Sequence, residues 1–251
     1  MQNLPCLICN PGVVLLLKTM RKITKKQVLF IIIFVVLGLA ISQIPISSIV
    51  GSKQRFTPFE FLGPTSGMFL GPWPAAISVF FVKLLNVLVK HQTFDVTTII
   101  RFFPMMLAAI YFGIAKSNKI ILIVHLLCMT LFMLHPEGRQ AWYFSLYWFI
   151  PVACFFKKDR LVLNALGSTF TAHAVGSTAF LYAFNLPAPV WIGLIPVVFM
   201  ERMLFCAGIW VFYLVINSAL DWLVERRKIS VLRGLVNPSY VLSKRFFKFN
   251  A

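Results

Sequence analysis

An apolar run between residues 161 and 205 carries Asn164, Ser168, Thr169, Thr171, His173, Ser177, Thr178, Glu201 and Arg202. Polar groups in a hydrocarbon setting cost free energy unless they are paired or face a cavity, so chemistry is expected here first. On a helix at about 100° per residue, Asn164, Ser168, Thr171, Thr178 and Tyr182 fall within one arc. Thr169, His173 and Ser177 form a second strip, roughly opposite. Ala165, Ala172, Gly176, Ala179 and Ala183 lie between the two, a surface suited to close helix packing. Only Leu163, Phe170, Ala174 and Leu181 remain to face lipid, so neighbouring helices are expected to enclose this one. Two readings stand at this point: hydroxyl groups that glue helices together, or a cavity that holds a ligand.

Other apolar segments carry further candidates. Lys83, Asn86 and Lys90 share one helical face, Arg101 opens the following segment with Pro104 just after it, and Glu60 opens an earlier one. Glu60, Lys83, Arg101, Glu201 and Arg202 are expected near one depth, as ion pairs or as an outward-facing polar pocket, with Glu201 pairing to Lys83 or Arg101. Trp142, Tyr143, Tyr147 and Trp148 read as an interfacial belt, or Tyr143 and Tyr147 as the wall of a site for a flat ring. Ser177 follows His173 by one turn, within reach, but no third member and no oxyanion donor accompany them. No G-x-S-x-G, H-E-x-x-H or Walker run occurs, so ATP is not hydrolysed by this chain through the usual loop. His91, His125 and His135 lack metal-ligand spacing, and the lone C-x-x-C at Cys6 and Cys9 lacks two further ligands. Cys128, Cys154 and Cys206 read as small hydrophobes. No metal or cofactor is expected.

The elements that must position these groups follow from composition. The 251 residues are 59% apolar and 12% charged, with a mean hydropathy of +0.85, which is a polytopic membrane protein and not a soluble domain. The fold class expected is all-α, a transmembrane helix bundle of about six to eight spans at about 20 residues each. The net charge of +17 gathers in the first 26 residues, in short loops and in the tail, as in cytoplasmic flanks, and makes no basic stripe for nucleic acid. Residues 1–27 read as a basic cytoplasmic segment, 28–224 as the bundle and 225–251 as a basic cytoplasmic tail, either laid on anionic lipid or a simple stop signal. Met20 opens MRKITKK and is an alternative start.

The spans expected are 28–44, 57–70 (short), 75–89 after a tight turn at Gly71–Pro74, 98–115, 120–134, 141–156, 161–184 and 190–224. Counting the short segment gives roughly eight crossings with both termini cytoplasmic, and puts Lys116 with Lys119, and Lys157, Lys158 and Arg160, inside.

The run Phe61-Leu62-Gly63-Pro64-Thr65-Ser66-Gly67-Met68-Phe69-Leu70-Gly71 resembles the membrane substrate-binding components (S-components) of energy-coupling factor vitamin importers. Biotin-type members carry a glycine-proline-threonine-glycine-glycine-tyrosine run there; Ser66 here replaces a glycine and Met68 the tyrosine. Residues 99–116 resemble that family's middle helix. The family usually has fewer spans, and its alanine-x-x-x-alanine contact has only Gly38 and Ser42 as a counterpart here. The resemblance implies a vitamin-like solute bound on the outer side, and a separate coupling subunit with ATPases as partners.

The function expected is therefore solute uptake across the cell membrane, the inner one in a Gram-negative cell, by a multi-pass transporter or its solute-binding component. Glu60, Lys83, Asn86, Arg101, Glu201 and Arg202 would capture a small polar or zwitterionic solute, with Asn164, Ser168, Thr171 and His173 along its path. The alternatives are an intramembrane enzyme on lipid-linked substrate with His173 as base, and a non-catalytic scaffold.

Overall fold

A computed structural model describes residues 25–48 and 55–242. Met20, the Cys6/Cys9 pair and the last basic residues of the tail lie outside them. The fold is helical: α1 Lys25–Ile41, α2 Phe59–Leu70, α3 Pro72–Val89, α4 Val96–Ile100, α5 Phe102–Gly113, α6 Ile120–Leu134, α7 Pro136–Gln140, α8 Phe149–Phe156, α9 Leu161–Phe184 and α10 Ala188–Arg226. A 3-10 segment, Trp142–Trp148, precedes α8, and two more, Ser230–Leu235 and Pro238–Tyr240, follow α10. A two-residue antiparallel pair, β1 Ser47–Ser48 with β2 Arg55–Phe56, closes the loop between α1 and α2.

Three helical stretches, Pro72–Val89, Val96–Gly113 and Ala188–Arg226, are long and apolar enough to cross a membrane; Val28–Ile41, Ile120–Leu134 and Trp142–Phe156 are apolar but shorter. Large aliphatic side chains stand exposed along α1, α6 and α10, among them Val36, Ile123, Met200 and Leu204. So much uncovered apolar surface is compatible with a lipid surround.

Helix ends follow local chemistry. Asp95 caps α4 by accepting from the Thr98 N–H at 2.7 Å, which holds its carboxyl below the usual carboxylate range. Pro104 has no N–H to return to Ile100, and the helix breaks at Arg101. The Glu137 carboxylate accepts from the Ala188 N–H at 2.7 Å, at the positive end of α10. The turn expected at Gly71–Pro74 shrinks to one residue: Gly71, at φ +85°, reverses the chain and Pro72 already opens α3. The span expected over 141–156 is a 3-10 segment followed by α8, with Phe144, Ser145 and Trp148 turned inward.

Helix α5 packs on α2, α3 and α9 and is the centre of the bundle. Its tightest contact is with α2, where Gly67 and Gly113 face each other backbone to backbone and a Cβ on either would strike the opposite main chain. One core joins Phe30, Phe34, Phe59, Phe69, Phe112 and Tyr213; another joins Phe132, Phe144, Trp148, Leu181 and Trp191. Helix α9 is enclosed as expected, though the face assigned to lipid is not the one left open. Phe170, Ala174 and Leu181 are fully buried, and the exposed side chains are Val162 and, at the far end, Tyr182, Ala183 and Phe184. The tail folds back onto α10: Asn217 exchanges two hydrogen bonds with the Asn237 backbone at 2.9 and 2.8 Å, and the Tyr240 hydroxyl donates to the Asp159 carbonyl.

At the same end, the Lys158 ammonium donates to the Tyr111 and Ile114 carbonyls at 2.7 and 2.6 Å, closing the C-terminus of α5. Burial pushes this amine down to about 8 from 10.5.

Two predictions follow from the packing. Gly67→Ala should cost roughly 2–3 kcal/mol or more, read as a lower unfolding midpoint in detergent, while Gly193→Ala, which meets nothing within 4 Å, should not. Because the folded state binds the Lys158 proton more weakly than the unfolded chain, this residue should make the fold more stable as pH rises from about 8 to 10.5. The midpoint difference between wild type and Lys158→Met should shift in favour of wild type over that window.

Candidate functional site

The N-terminal turns of α2 and α5 and the C-terminal turns of α3 converge on a pair of cavities. The Lys83 ammonium donates to Glu60 Oε1 at 2.7 Å, bridging α3 to α2, and lies 5.7 Å from the centre of the Phe59 ring. Glu60, Lys83 and Arg101 line both cavities. On the side of the α3–α4 loop lies a pocket of about 500 Å³, termed the vestibule, that also meets Asn86, Lys90 and Asp95. There the Lys90 amine donates to the Ser42 carbonyl, and burial, then the charge of Lys83, lowers its affinity for a proton. On the side of α9 and α10 lies a second, termed the inner cavity, of about 400 Å³, bounded by α2, α3, α5, α9 and α10 and by Phe144. Its size is in the range of small-molecule sites.

The inner cavity has a charged rim and an apolar body. Arg202 Nη2 faces Glu201 Oε2 at 3.4 Å, Nη1 faces Thr169 Oγ1 at 3.4 Å, and the guanidinium lies 4.4 Å from the centre of the Phe205 ring. Arg202 is 9% exposed, and its Nε is buried without a hydrogen-bond partner among the described residues. The body is walled by Phe144, Phe180, Leu186, Trp191, Leu194 and Val198.

His173 ties the rim to the aromatic wall. The Trp148 indole N–H donates to His173 Nδ1 at 3.1 Å, so Nδ1 accepts and the network assigns the ring proton to Nε2. Nε2 stands 3.2 Å from Ser177 Oγ and donates to it. In this state His173 has no free lone pair with which to take a proton from Ser177, and the Ser177 O–H remains to donate elsewhere.

The structure thus brings together Glu60, Lys83, Arg101, His173, Glu201 and Arg202 at one cavity. Asn86 lies in the vestibule, bonded to Gln43 Nε2. Asn164, Ser168 and Thr171 are placed elsewhere: they are buried against α5 and α6, where Asn164 donates to the Phe112 carbonyl, Ser168 to the Ala108 carbonyl and Thr171 to the Gly167 carbonyl, with Thr171 also 2.9 Å from His125 Nε2. They act as packing hydrogen bonds, and it is the opposite strip, Thr169, His173 and Ser177, that faces the cavity. The expected pairing of Glu201 to Lys83 or Arg101 is replaced by Glu201 with its neighbour Arg202, and Lys83 with Glu60. Thr169, Ser177 and Trp148 were legible only as polar or aromatic residues; Ser177 one turn from His173 was the usable signal. Tyr147 stacks on Phe170 and donates to the Ile195 carbonyl, and Tyr143 is exposed. No group of three His, Cys, Asp or Glu side chains that could hold a metal ion occurs among the described residues.

No protein-family model matches the chain, and no solved structure is similar to it. The chain is 29% identical over 177 residues to an uncharacterized protein of Methanocaldococcus jannaschii, an alignment that takes in 62% of this chain. It spans 58% of that relative's length.

The Glu60–Lys83 pair is largely withdrawn from solvent, so each single loss should strand a charge. Glu60→Gln and Lys83→Met should each destabilise, and the sum of the two losses should exceed the loss in the double variant. A double-mutant cycle on unfolding midpoints should return a coupling of about 1–3 kcal/mol.

Proposed function

We propose that this chain is an integral membrane transporter, or the solute-binding component of one, that captures a small solute in the inner cavity. The observation that carries the reading is the cavity itself: charged side chains from α2, α3, α5 and α10, distant in sequence, line one pocket of small-molecule size, with Arg101 outside the Glu60–Lys83 and Glu201–Arg202 pairs. The direction of the chain supports a membrane topology. On the topology expected from the sequence, eight crossings with α2 counted would put Lys116, Lys119, Lys157, Lys158, Arg160 and Arg226–Lys228 on one side, the cytoplasmic one by the positive-inside rule. The vestibule then opens outward, as uptake requires, and the cell membrane is the location.

The resemblance of residues 61–71 and 99–116 to the substrate-binding components of energy-coupling factor importers agrees with outer-side capture. By that resemblance the partners are a coupling subunit and separate ATPases. The proton on His173 Nε2 argues against the enzymatic alternative with His173 as base.

A thermal-shift screen of detergent-purified protein against amino acids, nucleosides, vitamins and polyamines tests the reading, since a solute that binds only the folded state raises the midpoint with concentration. A hit should survive Ser168→Ala, whose hydroxyl bonds the Ala108 carbonyl, and vanish in Gly176→Phe, which fills the cavity. A panel without hits, or a hit indifferent to Gly176→Phe, overturns it.

A further inference from the structure

The charges around the inner cavity do not balance. Lys83, Arg101 and Arg202 face it against Glu60 and Glu201, three cationic side chains to two carboxylates, with His173 neutral. All seven acidic side chains of the chain lie among the described residues, so every acidic side chain is accounted for. Glu60 is taken by Lys83 at 2.7 Å and Glu201 by Arg202. None of them lies within ion-pair distance of Arg101, on whose charge Glu60 and Asp95 act only from further off, although the guanidinium is half-buried at the break between α4 and α5. A guanidinium in a poorly hydrated site gains most from a carboxylate that accepts two of its N–H groups side by side.

The unfilled hydrogen bonds point the same way. Arg202 has a buried Nε with no partner, and its two other contacts are long, at 3.4 Å. The Nε has almost no accessible surface, so it is the two Nη groups, held only by these long contacts, that keep donor capacity for a ligand. The Ser177 hydroxyl accepts from His173 and keeps its own proton to donate. The cavity therefore offers donors in excess: two guanidinium groups and a hydroxyl, while each carboxylate already faces a cation. An ammonium would add a further positive charge to the three already there, so an amine or a zwitterion is less favoured than an anion. Away from this rim, Phe144, Phe180 and Trp191 give an apolar, ring-shaped wall, with the Phe144 and Trp191 centres 5.2 Å apart.

Resting on the solute-capture reading above, we propose that the ligand is a small organic monoanion, a carboxylate carried on a flat apolar or aromatic body. Arg101, Arg202 and Ser177 hold the carboxylate, and Phe144, Phe180 and Trp191 take the body. The Glu60–Lys83 pair stands between the site and the vestibule.

Three probes that share one ring and differ in charge test this: indole-3-acetate, indole-3-acetamide and tryptamine, titrated against the detergent-purified full chain by thermal shift at pH 7. The anion should bind at least tenfold more tightly than the amide, and the amine should bind no better than the amide. Arg101→Gln should bring the anion to within twofold of the amide while leaving amide binding unchanged. Arg202→Gln should do the same; should it fail to fold, Ser177→Ala, which removes one donor and spares both charges, should weaken only the anion. Amide or amine binding as tight as the anion overturns the anionic assignment and leaves solute capture intact. So does an anion preference that survives Arg101→Gln. Failure of all three probes to shift folded protein also overturns it, while the wider screen, with its neutral and cationic solutes, decides the capture reading on its own.

Discussion

Everything in this bundle depends on how closely α2 and α5 can approach. Gly67 and Gly113 let the two backbones touch, with no side chain between them. In a membrane, where apolar burial drives little, such contacts are what hold helices at fixed distances. The touch fixes α5 at the centre, between α2, α3 and α9, and so fixes the starts of α2 and α5, where Glu60 and Arg101 stand. The cavity begins within about one turn of that contact, at Pro64 on α2 and Ala108 on α5, so the same close approach that joins the two helices also places its wall.

Around that crossing, the polar residues of α9 divide their work. Asn164 and Ser168 spend their hydrogen bonds on α5 carbonyls and lock the helix against it, while Thr171 turns back to the Gly167 carbonyl of its own helix and meets His125 of α6. Thr169, His173 and Ser177 are held by the other side of the same helix and keep some capacity free. Trp148 sets the His173 tautomer from a 3-10 segment whose tighter winding turns it inward. The same helix is thereby both anchor and wall.

Much of this could be read from the residues. The limits of α6 and α9 were legible from their apolar periodicity and flanking charges, and the broken α2 from its Gly-Pro pairs. The convergence of Glu60, Lys83, Arg101, Glu201 and Arg202 was legible because each is too costly to leave facing lipid alone. What could not be read was which strip of α9 faced the cavity. A helical wheel gives angles between residues, but the absolute rotation is set by neighbours that the wheel does not contain. For the same reason Phe170 and Leu181, apolar enough for lipid, turned out to be core. Glu201 pairs with its chain neighbour because α10 places Arg202 against Thr169 and Phe205, out of reach of any simple spacing rule. The folded tail depends on Asn217 meeting a backbone twenty residues later, a contact without periodicity.

The brevity of α2 has a consequence for how its end is held. Pro64 lines the cavity and Leu70 ends the helix, so less than two turns, about 9 Å of rise, continue past the site along this element. What holds that short end is a set of rings: Phe69 stacked 5.1 Å from Tyr213, with Phe112 edge-on to the same tyrosine at 5.8 Å. A single tyrosine of α10 thus ties the ends of α2 and α5 together, so that a helix with few turns of its own is fastened by rings from two others.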